Sequence, residues 1–335
     1  MSHDILRTWT ARAACAIAAI AAIAFTASAF AQGEVFPSRP ITLVVPFPAG
    51  GPSDALARAV AQRMGTALGQ SVVVDNIGGA GGTIGLAKVV RSAPDGYTLA
   101  FGTIGTHVAN VALYKKLPYD PVTDFEPIGL AGTAPMILVA RPDLPASDLK
   151  EFVAYLQAHK GRLSYGSAGV GSISHFGCIM LLSALQADVT HVPYRGVAPA
   201  MNDLMGGQVD FMCDQTTTAM PQVAGGKIKA IAVLSGQKLP QLPRTDTAAA
   251  AGYALDVRSW NAIFAPKGTP PAVLKRLNDA LARAAADPQL RQQMQAVGVD
   301  LPTPDTVAPA NVSALITQGL KREVPALKER VQYLD

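Results

Sequence analysis

An apolar strand, Ile41 to Val45, runs straight into Pro46-Phe-Pro-Ala-Gly-Gly-Pro-Ser-Asp54. Prolines and glycines end the strand and a helix begins at once, which commits this part of the chain to strand, tight turn and helix. Such a turn leaves backbone N–H groups at the positive end of the helix dipole, where an anion is stabilised without a cationic side chain. The same order recurs after Leu99-Ala-Phe-Gly-Thr103, Leu163-Ser-Tyr-Gly-Ser167 and Val209-Asp-Phe-Met-Cys213. Open α/β sheets bind ligands beyond the carboxyl ends of their strands, which is where these turns fall.

Short apolar strands alternate with helical stretches along the chain, the pattern of an α/β fold with largely parallel sheets. The strands read as Ile41 to Val45, Val72 to Asp75, Thr98 to Phe101, Met136 to Ala140, Leu163 to Tyr165, Thr190 to Val192, Val209 to Met212, Ile228 to Leu234 and Asn261 to Ala265. Leu56, Val60, Met64 and Leu68 share one helical face, and Gly69 stops that helix. Asp148-Leu-Lys-Glu151 is a capping box, and Thr269-Pro-Pro271 and Asp287-Pro288 open two further helices. Breaks at Thr133 to Pro135 and between Leu239 and Arg258 divide the chain twice, as an inserted domain does. The expected organisation is a leader at 1–31, a first domain from 32–134 and 258–335, and a second domain at 135–257.

Met1 to Ala31 reads as an export leader: Arg7 and Arg12 give the positive start, Ala13 to Phe25 the apolar core, and Ala29-Phe-Ala31 the cleavage signal. The leader takes Arg7, Arg12 and Asp4 from 28 basic and 24 acidic residues, leaving 26 against 23. With no Lys/Arg cluster and few aromatics, nucleic acid is not an expected partner. Cys178 and Cys213 remain after cleavage, and an exported pair is a disulfide candidate, with two buried thiols as the alternative. His175, Cys178, His191 and Cys213 match no usual zinc spacing, so no metal is expected.

Gly78-Gly-Ala-Gly-Gly82 fits neither the dinucleotide fingerprint nor the P-loop and reads as a turn into the helix from Thr83, so no nucleotide cofactor is expected. There is no G-x-S-x-G elbow and no H-E-x-x-H motif. Ser172, Ser174 and His175 are neighbours in sequence, but a nucleophile needs a base within reach and a third group to orient it, and adjacency supplies neither. A serine-dependent hydrolase is the lesser alternative to a binding protein.

Taken together, Val45-Pro-Phe-Pro-Ala-Gly-Gly-Pro-Ser-Asp54, Pro94-Asp-Gly-Tyr-Thr98, Leu117-Pro-Tyr-Asp120, Gly169-Val-Gly-Ser-Ile-Ser-His175, Val192-Pro-Tyr-Arg-Gly196, Gly207-Gln-Val-Asp210 and Ala265-Pro-Lys-Gly-Thr-Pro270 carry a resemblance. The chain resembles the Bug family of extracytoplasmic solute receptors, the periplasmic component of tripartite tricarboxylate transporters. That resemblance implies a two-domain flytrap of the periplasmic-binding type, closing on a small mono- or dicarboxylate with an aliphatic or aromatic body. It also implies that the carboxylate is held by backbone amides and ordered water at Phe47, Pro48, Ala49, Gly50, Gly51 and Ser53. The expected receptor is periplasmic and monomeric, is not an enzyme, and hands its ligand to inner-membrane transporter subunits; a sensor subunit is the alternative. Pro243-Arg-Thr-Asp-Thr247 and Val111 depart from the family pattern, at a surface loop and a helix start.

From the second domain, the resemblance implies closure by Gly169, Gly171, Ser172 and Ser174 and by the loop starting at Asp214. Ser167, Ser172 and Ser174 are small enough to let a carboxylate approach the backbone, and they add hydroxyl donors. Thr103, at a strand end, is assigned to the cleft, while His107 reads equally as a cleft or a packing residue. Tyr194 and Arg195 occupy another strand-to-helix turn, where Arg195 suits a second carboxylate or stands as a surface guanidinium. Asp214 and Gln215 are expected to tune ligand choice, and hinges are expected near 133–137 and 255–260.

Overall fold

The computed structural model of the chain describes Phe36 to Glu329, so the expected leader at 1–31 lies outside the described residues. All elements below belong to the unit that starts at Arg39. In chain order they are β1 (Ile41–Val45), α1 (Pro52–Leu68), β2 (Val72–Asn76), α2 (Thr83–Val90), β3 (Thr98–Thr103), α3 (Asn110–Leu113), β4 (Phe125–Ala140), α4 (Leu149–Ala158) and β5 (Ser164–Ser167). Then come α5 (Ile173–Leu185), β6 (Thr190–Pro193), α6 (Val197–Met205), β7 (Phe211–Gln215), α7 (Thr216–Ala224), β8 (Lys229–Val233), β9 (Arg258–Pro266), α8 (Pro271–Ala286), α9 (Pro288–Ala296) and α10 (Pro309–Lys328). Among the described residues no helix is long and apolar enough to cross a membrane.

Local chemistry sets the helix ends. α1 buries Leu56, Val60, Met64 and Leu68, and Gly69 ends it at φ 73° with its N–H on the Gly65 carbonyl. Asp148 caps α4 by accepting the Glu151 N–H at 2.8 Å, while Glu151 accepts the Ser147 N–H at 2.8 Å. Asp287 caps α9 by accepting the Leu290 N–H at 2.8 Å.

The strands form one sheet in the order β2-β1-β3-β9-β4-β7-β5-β6, with β8 on β4. β1 pairs in parallel with β2 and β3, and β5 with β6 and β7. The pairings β3–β9, β4–β9, β4–β7 and β4–β8 are antiparallel. The expectation of largely parallel sheets is thereby corrected: each parallel trio is bordered by the long antiparallel strands that cross between them.

β4 is the hub. Phe125 to Pro135 pair with β9, and from Met136 onward the strand pairs with β7 and then β8. Pro127, Gly129 and Gly132 sit at register shifts that bend its first half. The return crossing lies beside it, where Met136 N–H donates to the Val257 carbonyl and Val257 N–H to the Leu234 carbonyl. Cys178 on α5 and Cys213 on β7 are joined in a disulfide with Cα atoms 5.2 Å apart, tying a helix to the strand beneath it.

Candidate ligand-binding site

The turn from Pro46 to Gly51 is held from below. Asp54, 4% exposed on the first turn of α1, accepts the Gly50 N–H at 2.9 Å, Arg58 Nε–H at 3.1 Å and Asn76 Nδ2–H at 2.9 Å. Asn76 also donates to the Phe47 carbonyl at 3.1 Å. Burial raises the Asp54 pKa, but the bonds from Arg58, Gly50 and Asn76 outweigh it and hold the carboxyl below its ordinary value. Gly50 adopts φ +81°, a conformation that favours glycine, and its amide is used within the turn.

Above this turn lies a cavity of about 680 Å³. Phe47, Pro48 and Ala49 line one side; Asn76 and Gly78 to Gly82 with Tyr114 a second; Ala168 to Val170, Ser172 and Tyr194 to Gly196 a third. A recess of about 30 Å³ continues inward between Gly51, Pro52, Ser53, Ser172, Ile173 and Val197. The walls meet tightly at the edges. A Cβ on Gly171 would stand 2.5 Å from Asn110 Oδ1 and 3.3 Å from the Gly81 Cα, and one on Gly196 would stand 3.1 Å from Pro48 Cγ.

Four helices point their N-termini at this space. Gly51, Gly82, Ser172 and Gly196 are the N-caps of α1, α2, α5 and α6, and every one of them lines the cavity or its recess. Three are glycines with no side-chain capping bond, and α1 adds Pro52 as its first residue. The first N–H groups of a helix lack intrahelical acceptors, so these ends present donors and partial positive charge to one volume. Among the described residues, Arg195 is the charged one in the cavity wall, and none of those lining it is acidic.

Ser172 lines both the cavity and the recess. Its Oγ accepts the His175 N–H at 3.3 Å and lies 3.1 Å from Ser174 Oγ, which itself accepts the Ala168 N–H at 2.8 Å. If Ser174 donates to Ser172, both Ser172 lone pairs are used and its hydrogen is left over. Tyr194 turns its hydroxyl away, donating to Asp203 at 2.6 Å, and leaves its ring at the wall.

The structure thus brings Phe47, Pro48, Ala49, Gly51, Ser53, Gly169, Ser172, Tyr194 and Arg195 together around the cavity and recess. Gly50, Gly171 and Ser174 support these walls from behind without lining them. Ser167 is fully buried, with Oγ 2.6 Å from His191 Nε2 and accepting the Gly169 N–H. His191 and His175 stack at 4.3 Å, and burial pushes their pKa values down to about 4 and about 3.

Three assigned residues lie elsewhere. Thr103 closes its turn on itself: its N–H donates to Thr106 Oγ1 at 2.9 Å, and its own Oγ1 accepts the Thr106 N–H. His107 beside it stacks on Phe264 at 4.1 Å, fully buried, and burial pushes its pKa down to about 3. Asp214 is fully buried and accepts from Thr218 Oγ1 at 2.5 Å, while Gln215 accepts from Ser259 Oγ at 2.8 Å. β9 pairs with β3 as far as Thr103 and β4 with β7 as far as Gln215, and Thr103, Asp214 and Gln215 are each 2% exposed or less. Gly78 to Gly82, read from sequence as a plain turn, takes their place as a wall. Gly79, Ala80, Gly81 and Gly82 all have positive φ, and a Cβ on Gly81 would stand 2.9 Å from both Tyr114 Oη and the Val170 carbonyl.

A family model described as tripartite tricarboxylate transporter family receptor matches residues 56–331. The chain belongs to that receptor family. It is 42% identical to the periplasmic binding protein BugD, with 88% of this chain and 98% of that one aligned and a TM-score of 0.85. MatC from Rhodopseudomonas palustris, solved with bound malate, is 40% identical over 87% of this chain and all of its own, with a TM-score of 0.84. An R. palustris protein solved with adipate is 31% identical over 88% of this chain and 98% of that one, with a TM-score of 0.83. The chain is therefore a Bug-type extracytoplasmic solute receptor, and the α/β fold is that of its periplasmic binding relatives.

Proposed function

We propose that this receptor captures a small dicarboxylate in the cavity between its two halves, in the periplasm, and delivers it to the membrane subunits of a tripartite tricarboxylate-type transporter. The convergence of four helix N-termini on one cavity carries this reading. One carboxylate sits deep, against the N-termini of α1 and α5 and the Ser172 hydroxyl. The other reaches Arg195, whose guanidinium suits bidentate pairing. Tyr114, Tyr194 and Phe47 contact the carbon body between them. Malate and adipate in two relatives are both dicarboxylates, which supports the same class here.

The reading assigns no catalysis. Ser172 and Ser174 bond to each other and to backbone amides, and the imidazole nearest in sequence, His175, accepts the Gly171 N–H at 3.4 Å instead. The halves 39–134 with 258–329 and 135–257 open and close about the β4 crossover and the return near Val257, so that a ligand touching both favours the closed state. A thermal-shift screen against mono- and dicarboxylates tests the function. A ligand at a hundred times its dissociation constant adds about 2.7 kcal/mol of stability. A panel of dicarboxylates that leaves the melting temperature unchanged at millimolar concentration overturns the proposal.

A further inference from the structure

A one-way row of hydrogen bonds leads from the cavity floor to the strand crossover. Ser53 Oγ, at the recess, donates to Asn261 Oδ1 at 3.1 Å. Asn261 Nδ2–H points to Ser259 Oγ at 3.5 Å, and Ser259 Oγ–H donates to Gln215 Oε1 at 2.8 Å. The four residues come from α1, β9 and β7, and each is 3% exposed or less.

Register explains how the row fits. Asn261 lies opposite Gly132, Ser259 opposite Ala134, and Gln215 opposite Met136. Residues two apart on a strand share a face, so all three side chains lie over the face of β4 that Gly132, Ala134 and Met136 share. β4 exchanges β9 for β7 between Pro135 and Met136, and the Ser259–Gln215 bond spans that exchange. The row ends unbalanced: Gln215 Nε2 and the neighbouring Asp214 Oδ1 are buried with no hydrogen-bond partner. Buried polar groups that serve packing alone are normally satisfied.

We infer that Asn261 and Ser259 are positioning residues that transmit the state of Ser53 at the cavity floor to Gln215 at the crossover. A carboxylate oxygen that accepts the Ser53 hydrogen takes it from Asn261 Oδ1. The amide then needs another donor, and any turn of that amide disturbs Ser259 and its bond to Gln215. Filling the recess and setting the angle of the two halves become one event. The role in ligand capture rests on the proposed dicarboxylate reading, but the linkage itself exists without ligand.

Hydrogen exchange read by mass spectrometry on the ligand-free full chain tests the linkage, because exchange tracks local opening. Ser53→Ala and Ser259→Ala are each expected to speed exchange at 133–137 and 212–216 by about threefold or more, with the double variant no faster than the faster single one. Ser259→Thr, which keeps a hydroxyl, is expected to match the wild type. Should Ser259→Ala fail to fold, Ser53→Ala alone decides, since its hydroxyl bonds to Asn261 and to neither segment. Wild-type exchange at 212–216 in Ser53→Ala, multiplied rates in the double variant, or acceleration spread evenly over the chain overturns the inference. Malate added to the wild type gives a separate result: absence of any protection counts against the dicarboxylate reading and leaves the linkage to the variants.

Discussion

Asp54 Oδ2 accepts the Gly50 N–H at 2.9 Å, so the helix that follows the Pro/Gly turn also fastens it. The carboxylate is held in place by Arg58 and Asn76, and Asn76 reaches on to the Phe47 carbonyl. One buried acid therefore sets the shape of the cavity wall that it does not itself line.

Asp54→Asn should lower stability by about 1–3 kcal/mol and weaken ligand binding, because a buried bonding set loses its charged acceptor. The pH dependence follows from the depressed pKa. A carboxyl held below 3.8 contributes its stability above that value, and the contribution is lost as pH falls through the folded-state pKa. Urea unfolding at pH 3 and pH 6 checks this, since Asp54→Asn should narrow the difference between the two.

Gly50 and Gly51 are adjacent but not equivalent. Gly50 has φ +81°, whereas Gly51 has φ −82° and a Cβ there would meet only the Pro48 carbonyl oxygen at 3.6 Å. Gly50→Ala is expected to cost about 1–2 kcal/mol from the left-handed backbone alone. Gly51→Ala should fold with near wild-type stability, and paired denaturation curves separate the two.

Arg195→Met should divide ligand classes. Loss of the guanidinium removes the partner of the second carboxylate, so affinity for adipate should fall by about tenfold or more, the scale of a charge-assisted bond. Affinity for hexanoate, with one carboxylate on a similar body, should change little. Calorimetry with both ligands reads the split.

Burial pushes the Asp214 pKa up to about 6, although Thr218 and the Gln215 backbone bond to it. A raised carboxyl pKa means the folded state binds the proton more tightly than the unfolded chain, whose value is near 3.8. Stability is thus highest on the acidic side and falls as pH rises through about 6, by on the order of 2–3 kcal/mol in full. Asp214→Asn should flatten melting temperature between pH 4.5 and 7.5, which differential scanning calorimetry checks.

Most strands are readable from apolar runs, and β1 is placed to the residue. The first eleven residues of β4 are not, because Pro127, Gly129, Gly132 and Pro135 imitate a linker while sitting at register shifts and the crossover of one long strand. At the site, the Phe47 to Gly51 turn is legible because proline and glycine stand between a clear strand and a clear helix. Gly78 to Gly82 carries the same signal, glycines between β2 and α2, but matches no named motif, and its composition is explained by the closeness of Pro48 to Gly78, Ile84 to Gly79, Tyr114 and Val170 to Gly81, and Thr106 to Gly82. Thr103, Asp214 and Gln215 end strands as plausibly as the true wall residues do. What sets them apart is burial, with bonds to Thr106, Thr218 and Ser259, a tertiary arrangement with no local sequence mark.

Titration calorimetry of the exported protein with adipate and with adipamide measures whether the cavity reads carboxylates. Helix N-termini and Arg195 offer donors and positive charge, so adipate should bind at one site per chain and the diamide should bind weaker by about 1–3 kcal/mol or more. Equal affinity for acid and amide, or binding of neither while an uncharged ligand binds the same cavity, would contradict capture of a dicarboxylate by converging helix ends.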